Sequence, residues 1–224
     1  MFRRFVTLAF IFVPASSAQL FPASSMQVHD GQVTAIYGPA QAEPVMSAAP
    51  YSADELQEYT PPGETVPSRS GIIGHFARDS QGRTRTSRAL KAAPFWLTEI
   101  FDPIAGAGIL LDDQAKVAHR MVAPPASAPR QPVAPRSEVS SQSLGTRSID
   151  GLIAEGTRVS GILTIETWRS PELKIDLVTR SSNGYGSRLI NLSRAEPDAA
   201  LFRPPADYRV IDESAPFSMT IRTR

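Results

Sequence analysis

The 224-residue chain has no cysteine, so disulfide bonds, thiol nucleophiles and thiolate metal sites are all closed to it. Histidine is nearly as scarce. His29, His75 and His119 are the whole supply, none spaced closely enough for a metal site, and surface or strand-filling roles are expected for them. Lysine is confined to Lys91, Lys116 and Lys174, and arginine carries the positive charge. The formal net charge is +1, which excludes an electrostatic partner acting over the whole molecule and leaves only local patches. No serine stands in a Gly-x-Ser-x-Gly setting, and the GYGSR run at Gly184–Arg188 lacks the strand-to-helix context of a phosphate loop.

Long apolar runs are missing as well. The run Phe5–Val13 reaches only about half of the ~20 residues that span a bilayer. It follows Arg3 and Arg4 and precedes Ser16, Ser17 and Ala18. That order is a secretory signal peptide over residues 1–18. Cleavage near Ala18 is expected to leave a periplasmic or secreted protein with no stable transmembrane segment.

What is present is proline, alanine and short β-type runs. Residues 19–67 are rich in Ala, Pro, Ser and Gly and read as a flexible segment. Within it, YSADELQEY pairs Ser52 with Glu55 in a capping-box pattern, so a short helix is expected at 52–59. Residues 68–212 read as a β domain. Three aspartate-led cassettes, starting at Asp79, Asp102 and Asp112, mark hairpins: the carboxylate accepts from backbone N–H groups two residues on, and Gly82 or Gly106 accepts positive φ. Strands are expected near 72–78, 83–90, 96–102, 107–112 and 116–122, then 147–156, 158–168, 172–181 and 185–193. A Pro-rich loop at 122–145 separates the two sets, and 213–224 reads as a frayed tail.

Two groups of charged residues invite functional readings. FARDSQGRTRTSR, Phe76–Arg88, crowds Arg78, Arg83, Arg85 and Arg88 around Asp79. A solvated hairpin tip accounts for it, and contact with an anionic partner is the alternative. Nucleic acid is not expected, because no exposed aromatics interleave the arginines. Glu155, Glu166, Glu172 and Asp176 are the carboxylates available for hydrolysis, but Arg158, Arg169 and Lys174 stand ready to pair with them across strands. No enzymatic activity, cofactor or metal is expected.

In ETWRSPELKIDLV and the segment that follows it, Trp168, Ser170, Pro171, Leu173, Pro197, Asp198, Leu201, Phe202, Pro205 and Tyr208 resemble the C-terminal half of the periplasmic lipoprotein carriers, the LolA/LolB-like superfamily. PYSADE, RDSQGRTR, FDPIAG, SLGTRSIDGLIAEGTR and SPEL look like a group of uncharacterised exported bacterial proteins. The resemblance implies a curved antiparallel sheet, a half-barrel with few short helices, whose concave face holds an acyl chain or packs on a cover. Alternation places Leu173, Ile175 and Leu177 on one face, and Ile190 and Leu192 extend it. With Trp168 and Phe202 these form the candidate lipid or lipoprotein contact. The expected function is non-catalytic binding of such a ligand in the cell envelope; the alternative is a protein-interaction or sensing module with a self-filled core.

Overall fold

The computed structural model describes residues 21, 23–29, 32–38, 45–89, 96–123 and 139–222. The expected signal peptide and most of the expected Pro-rich loop lie outside them. The chain is mainly β, built on a large curved, open sheet that does not close into a barrel.

Twelve strands make that sheet. A meander runs through β3 (Tyr51–Tyr59), β4 (Arg69–Arg78), β5 (Thr84–Ala89), β6 (Trp96–Asp102), β7 (Ala107–Asp112) and β8 (Val117–Val122). A second runs through β9 (Ser140–Ile149), β10 (Leu152–Ser160), β11 (Thr164–Arg169), β12 (Asp176–Ser181) and β13 (Tyr185–Ser193). Antiparallel pairing of β13 with β3 joins the two, and β14 (Arg209–Asp212) adds parallel to β8. β1 (Ala23–His29), β2 (Gln32–Tyr37) and β15 (Phe217–Arg222) form a separate sheet of three strands.

The aspartate turns form as their chemistry dictates. Asp79 Oδ1 accepts from the amides of Gln81 and Arg83, Asp102 Oδ1 from Ile104 and Ala105, and Asp112 Oδ1 from Gln114 and Ala115. Register shifts at Glu55/Leu56, Gly156/Thr157, Trp168/Arg169 and Ile190/Ser193 bend the strands that carry them. Such bulges increase local twist and supply curvature.

Strands β6 and β7 are buried along nearly their whole length because both of their faces are covered. On one side Leu97, Phe101 and Leu110 pack with Met121 against Ala35, Tyr37, Phe217, Met219 and Ile221 of the small sheet. On the other, Ile100, Ile109, Leu111 and Ala118 pack beneath Phe202. Phe202 is held there by a 3-10 turn, Ala199–Phe202, capped by Asp198, whose carboxylate accepts from the Ala200 amide at 2.9 Å.

Several expectations are corrected. Residues 51–59 form β3, not a helix: its amides and carbonyls are taken by ladders to β4 on one side and β13 on the other, which displaces the local capping box. The segment 217–222 is not frayed; it is β15, with Phe217, Met219 and Ile221 buried. β9 starts at Ser140, inside the stretch expected to be loop, because β10 supplies it with a ladder partner. The strand expected at 172–181 begins only at Asp176. Ahead of it the SPELK segment turns: Ser170 Oγ accepts from the Leu173 amide, the Lys174 amide donates to Ser170 O at 2.9 Å, and Lys174 takes φ 57°. Leu173 and Ile175 are still buried, but by a turn.

Candidate functional site

The residues expected to line a ligand face fall into two groups. Leu173, Ile175 and Leu177 are buried with Ala49, Leu152 and Ala154, and Trp168 and Leu192 pack against that cluster. Ile190 is half-buried on β13. Phe202 belongs to the separate cluster under β6–β8, so the structure does not bring it to the others. Trp168 is stacked between chain elements: the Arg147 guanidinium lies 3.9 Å from its ring centroid, and a Cβ at Gly156 would stand 2.7 Å from the ring. Glycine at 156 is what admits the indole.

A crevice lined by Glu55, Phe76, Leu177, Thr179, Ser187 and Leu189 encloses about 20 Å³, room for about one water molecule. Ligand pockets of ordinary size hold roughly 300–1,000 Å³. A second crevice, between Trp96, Leu111, Gln114 and Ile221, is equally small at about 20 Å³.

The arginine comb is built into the fold instead of projecting from it. Arg78 is buried, donating from Nε to Ala49 O and from Nη2 to Leu173 O, both at 2.9 Å, with the Tyr51 ring 4.9 Å away. It therefore clamps the approach to β3 and the SPELK turn onto the end of β4. Arg83 pairs with the buried Asp79 at 2.5 Å and lies over Phe202. Arg85 donates to Leu201 O at 3.1 Å, and burial pulls its guanidinium below the usual arginine range. Arg88 lies over the Phe76 ring at 5.1 Å. The wet-tip expectation is corrected: Glu196 and the Asp198–Phe202 turn return over this hairpin, with Glu196 accepting from the Ser80 amide. That contact spans 116 residues and has no local signal.

The carboxylates find largely the expected pairs. Glu166 is held by Arg158 at 2.5 Å and Asp176 by Arg169 at 2.8 Å, whereas Glu172 pairs with Arg194 at 2.6 Å and not with Lys174. Glu155 is exposed with no ion pair among the described residues.

A polar cluster on β3, β4 and β13 has no counterpart in the sequence patterns. His75 Nδ1 lies 2.6 Å from Asp54 Oδ1, and Asn191 Nδ2 donates to Asp54 Oδ2 at 2.8 Å. The Asn191 bond, then His75, hold the Asp54 carboxyl below its usual range against the opposing effect of burial. The His75 ring lies tilted against the Trp96 ring, their centroids 4.6 Å apart. Asp54 and His75 are register partners, a relation visible only once 51–59 is known to be a strand. His119 meets Glu213 at 2.7 Å and stacks on Phe217. His29 has no described side chain. Among the described residues no cluster has the composition of a metal site, and no helix is long and apolar enough to cross a membrane.

No protein-family model and no curated protein matches the chain. Among solved structures it is similar to PNGF-II at 14% identity and TM-score 0.42, over 74% of this chain and 32% of that one. It thus spans about a third of the length of that protein. An uncharacterized conserved protein from Thermus thermophilus is similar at 11% identity and TM-score 0.44, covering 74% of this chain and 91% of that one. A DUF1329 family protein from Desulfovibrio piger is similar at 10% identity and TM-score 0.20, covering 70% and 90%.

Proposed function

We propose that this chain is an exported, non-catalytic module of the cell envelope that works by surface contact with another macromolecule, its interior being filled by its own side chains. What carries this reading over an internal lipophilic ligand is self-closure: Leu173, Ile175, Leu177 and Phe202 are buried by neighbouring segments, and the crevice beside Leu177 holds about 20 Å³. An acyl chain needs a cavity more than ten times as large. Three carboxylates near the face, Glu166, Asp176 and Glu172, are engaged in ion pairs, which supports a structural use of them over a hydrolytic one.

Native mass spectrometry of the delipidated protein with palmitate, phosphatidylethanolamine and a triacylated lipopeptide tests the reading. The bare mass is expected throughout. A stoichiometric adduct that disappears in Leu177→Arg would return the protein to the carrier class.

A further inference from the structure

We propose that a monovalent cation the size of a water molecule, sodium, potassium or ammonium, binds in the crevice where β3, β4, β12 and β13 meet, held by the carboxylate of Glu55. This is an ion position inside the large sheet, separate from any contact the surface makes.

Glu55 is only 8% exposed, and its carboxylate has no hydrogen bond or ion pair among the described residues. A charge buried without a partner is costly, and burial is tolerated where a counter-charge completes the site. The strand register explains how Glu55 comes to lack one. Its ladder partners are Leu189 on β13 and Gly74 on β4. Gly74 has no side chain, and the Phe76 ring fills that space: a Cβ at Gly74 would stand 2.8 Å from the ring and 3.2 Å from Glu55 Cβ. The next residue in the row is Arg88, whose guanidinium lies over the same ring at 5.1 Å. Phe76 thus stands between Glu55 and the arginine of its row.

Charge and volume select the occupant. Glu55 lines the crevice together with the hydroxyl-bearing Thr179 and Ser187. The other charged residues of the lining are already matched: Asp176 pairs with Arg169 at 2.8 Å, and Arg188 with Glu58 at 3.6 Å. Among the lining residues Glu55 is the charge left over, so the site calls for a single positive charge. The space of about 20 Å³ admits a particle the size of one water molecule. A lysine or arginine head would bring a stem that this space does not hold. Calcium takes six to eight oxygen ligands, and magnesium keeps several of its waters, so neither fits a one-water space beside one free carboxylate. The apolar walls, Phe76, Leu177 and Leu189, strengthen the attraction between a small ion and the carboxylate, because they screen it less than water does.

The test follows thermal unfolding of the full chain in sodium, potassium, ammonium and tetramethylammonium chloride at one ionic strength. Tetramethylammonium carries the same charge and is too large for the crevice. At ten times its dissociation constant, a fitting ion raises the ratio of folded to unfolded chain about elevenfold and Tm by roughly 3–6 °C over tetramethylammonium. Glu55→Gln keeps the shape and removes the charge. It is expected to give one Tm in all four salts, and in tetramethylammonium to be no less stable than the parent chain. A direct readout accompanies this: the sodium nuclear resonance should broaden with the parent chain and stay narrow with Glu55→Gln, and added potassium or ammonium should narrow it in the order of their effects on Tm. If Glu55→Gln does not fold, the sodium line of the parent chain and its narrowing by the competing ions decide. Identical Tm in all four salts, an ion dependence that survives Glu55→Gln, or a sodium line that the parent chain leaves narrow would each overturn the assignment. None of these outcomes bears on whether a lipid occupies the interior, which the adduct measurement decides.

Discussion

Replacing Arg78 by methionine separates a structural clamp from a solvated tip. The guanidinium makes at least two hydrogen bonds to carbonyl oxygens, Ala49 O and Leu173 O, and is buried. Bonds donated by a charged group contribute roughly 1.5–3 kcal/mol each, and the orphaned carbonyls keep their desolvation cost. Removing a buried charge returns part of that, so a net loss of about 3 kcal/mol is expected. For a chain of this length that lowers Tm by roughly 6–12 °C. Urea denaturation followed by circular dichroism should show a lower midpoint with an unchanged m-value. Arg78→Lys should recover only part of the loss, since one ammonium does not reproduce the guanidinium's paired reach. A loss below about 0.5 kcal/mol, the size of an ordinary surface substitution, would refute the clamp.

Other consequences follow from the same packing. Burial, helped by Glu99 and Asp112, pushes the Tyr37 hydroxyl up to about 12. Its folded value lies above its unfolded one, so its stabilising contribution is complete below about pH 10 and disappears as pH rises through about 12. This amounts to roughly 3 kcal/mol of alkaline destabilisation; Tyr37→Phe should flatten that limb in a pH–stability series, and an unchanged limb would show that another group governs it. Asp54 is held low by Asn191 and His75, so its contribution is present above about pH 4 and fades as pH falls further. In urea titrations, Asp54→Asn should therefore cost stability at neutral pH and almost none at about pH 2. Gly156→Ala forces a methyl to within 2.7 Å of the Trp168 ring and should cost about 1–3 kcal/mol by overpacking, with a shift in tryptophan emission. Ile221→Ala should cost roughly 2–5 kcal/mol if β15 is core; a negligible effect on the urea midpoint would mean the C-terminal strand is dispensable.

Much of the large sheet is readable from local chemistry. Aspartate turns at Asp79, Asp102 and Asp112 fix the β4–β5, β6–β7 and β7–β8 hairpins within a few residues. β15 is equally open to reading: Phe217, Met219 and Ile221 alternate with Ser218, Thr220 and Arg222, and only its position near the end of the sequence suggests fraying. The same applies to β1–β2, where Asp30-Gly31 separates register partners His29 and Gln32. β3 is different. YSADELQEY has a capping pair and no clean apolar period, and its strand state comes from β4 and from the distant β13, which no local window contains. The arginines fail for the same reason, since Leu201 O, Leu173 O and Ala49 O reach them through tertiary return of the chain. The candidate apolar face is legible in residue identity; that the chain covers it is not, because coverage depends on which segment lies above which.

The most direct measurement is hydrogen exchange of Leu173–Leu177 and Phe217–Arg222 in the free protein, with and without phospholipid. Permanent covers exchange slowly and identically in both conditions. Rapid exchange in the free protein that slows when lipid is added would make these segments lids over a ligand site, and the self-filled interior would be wrong.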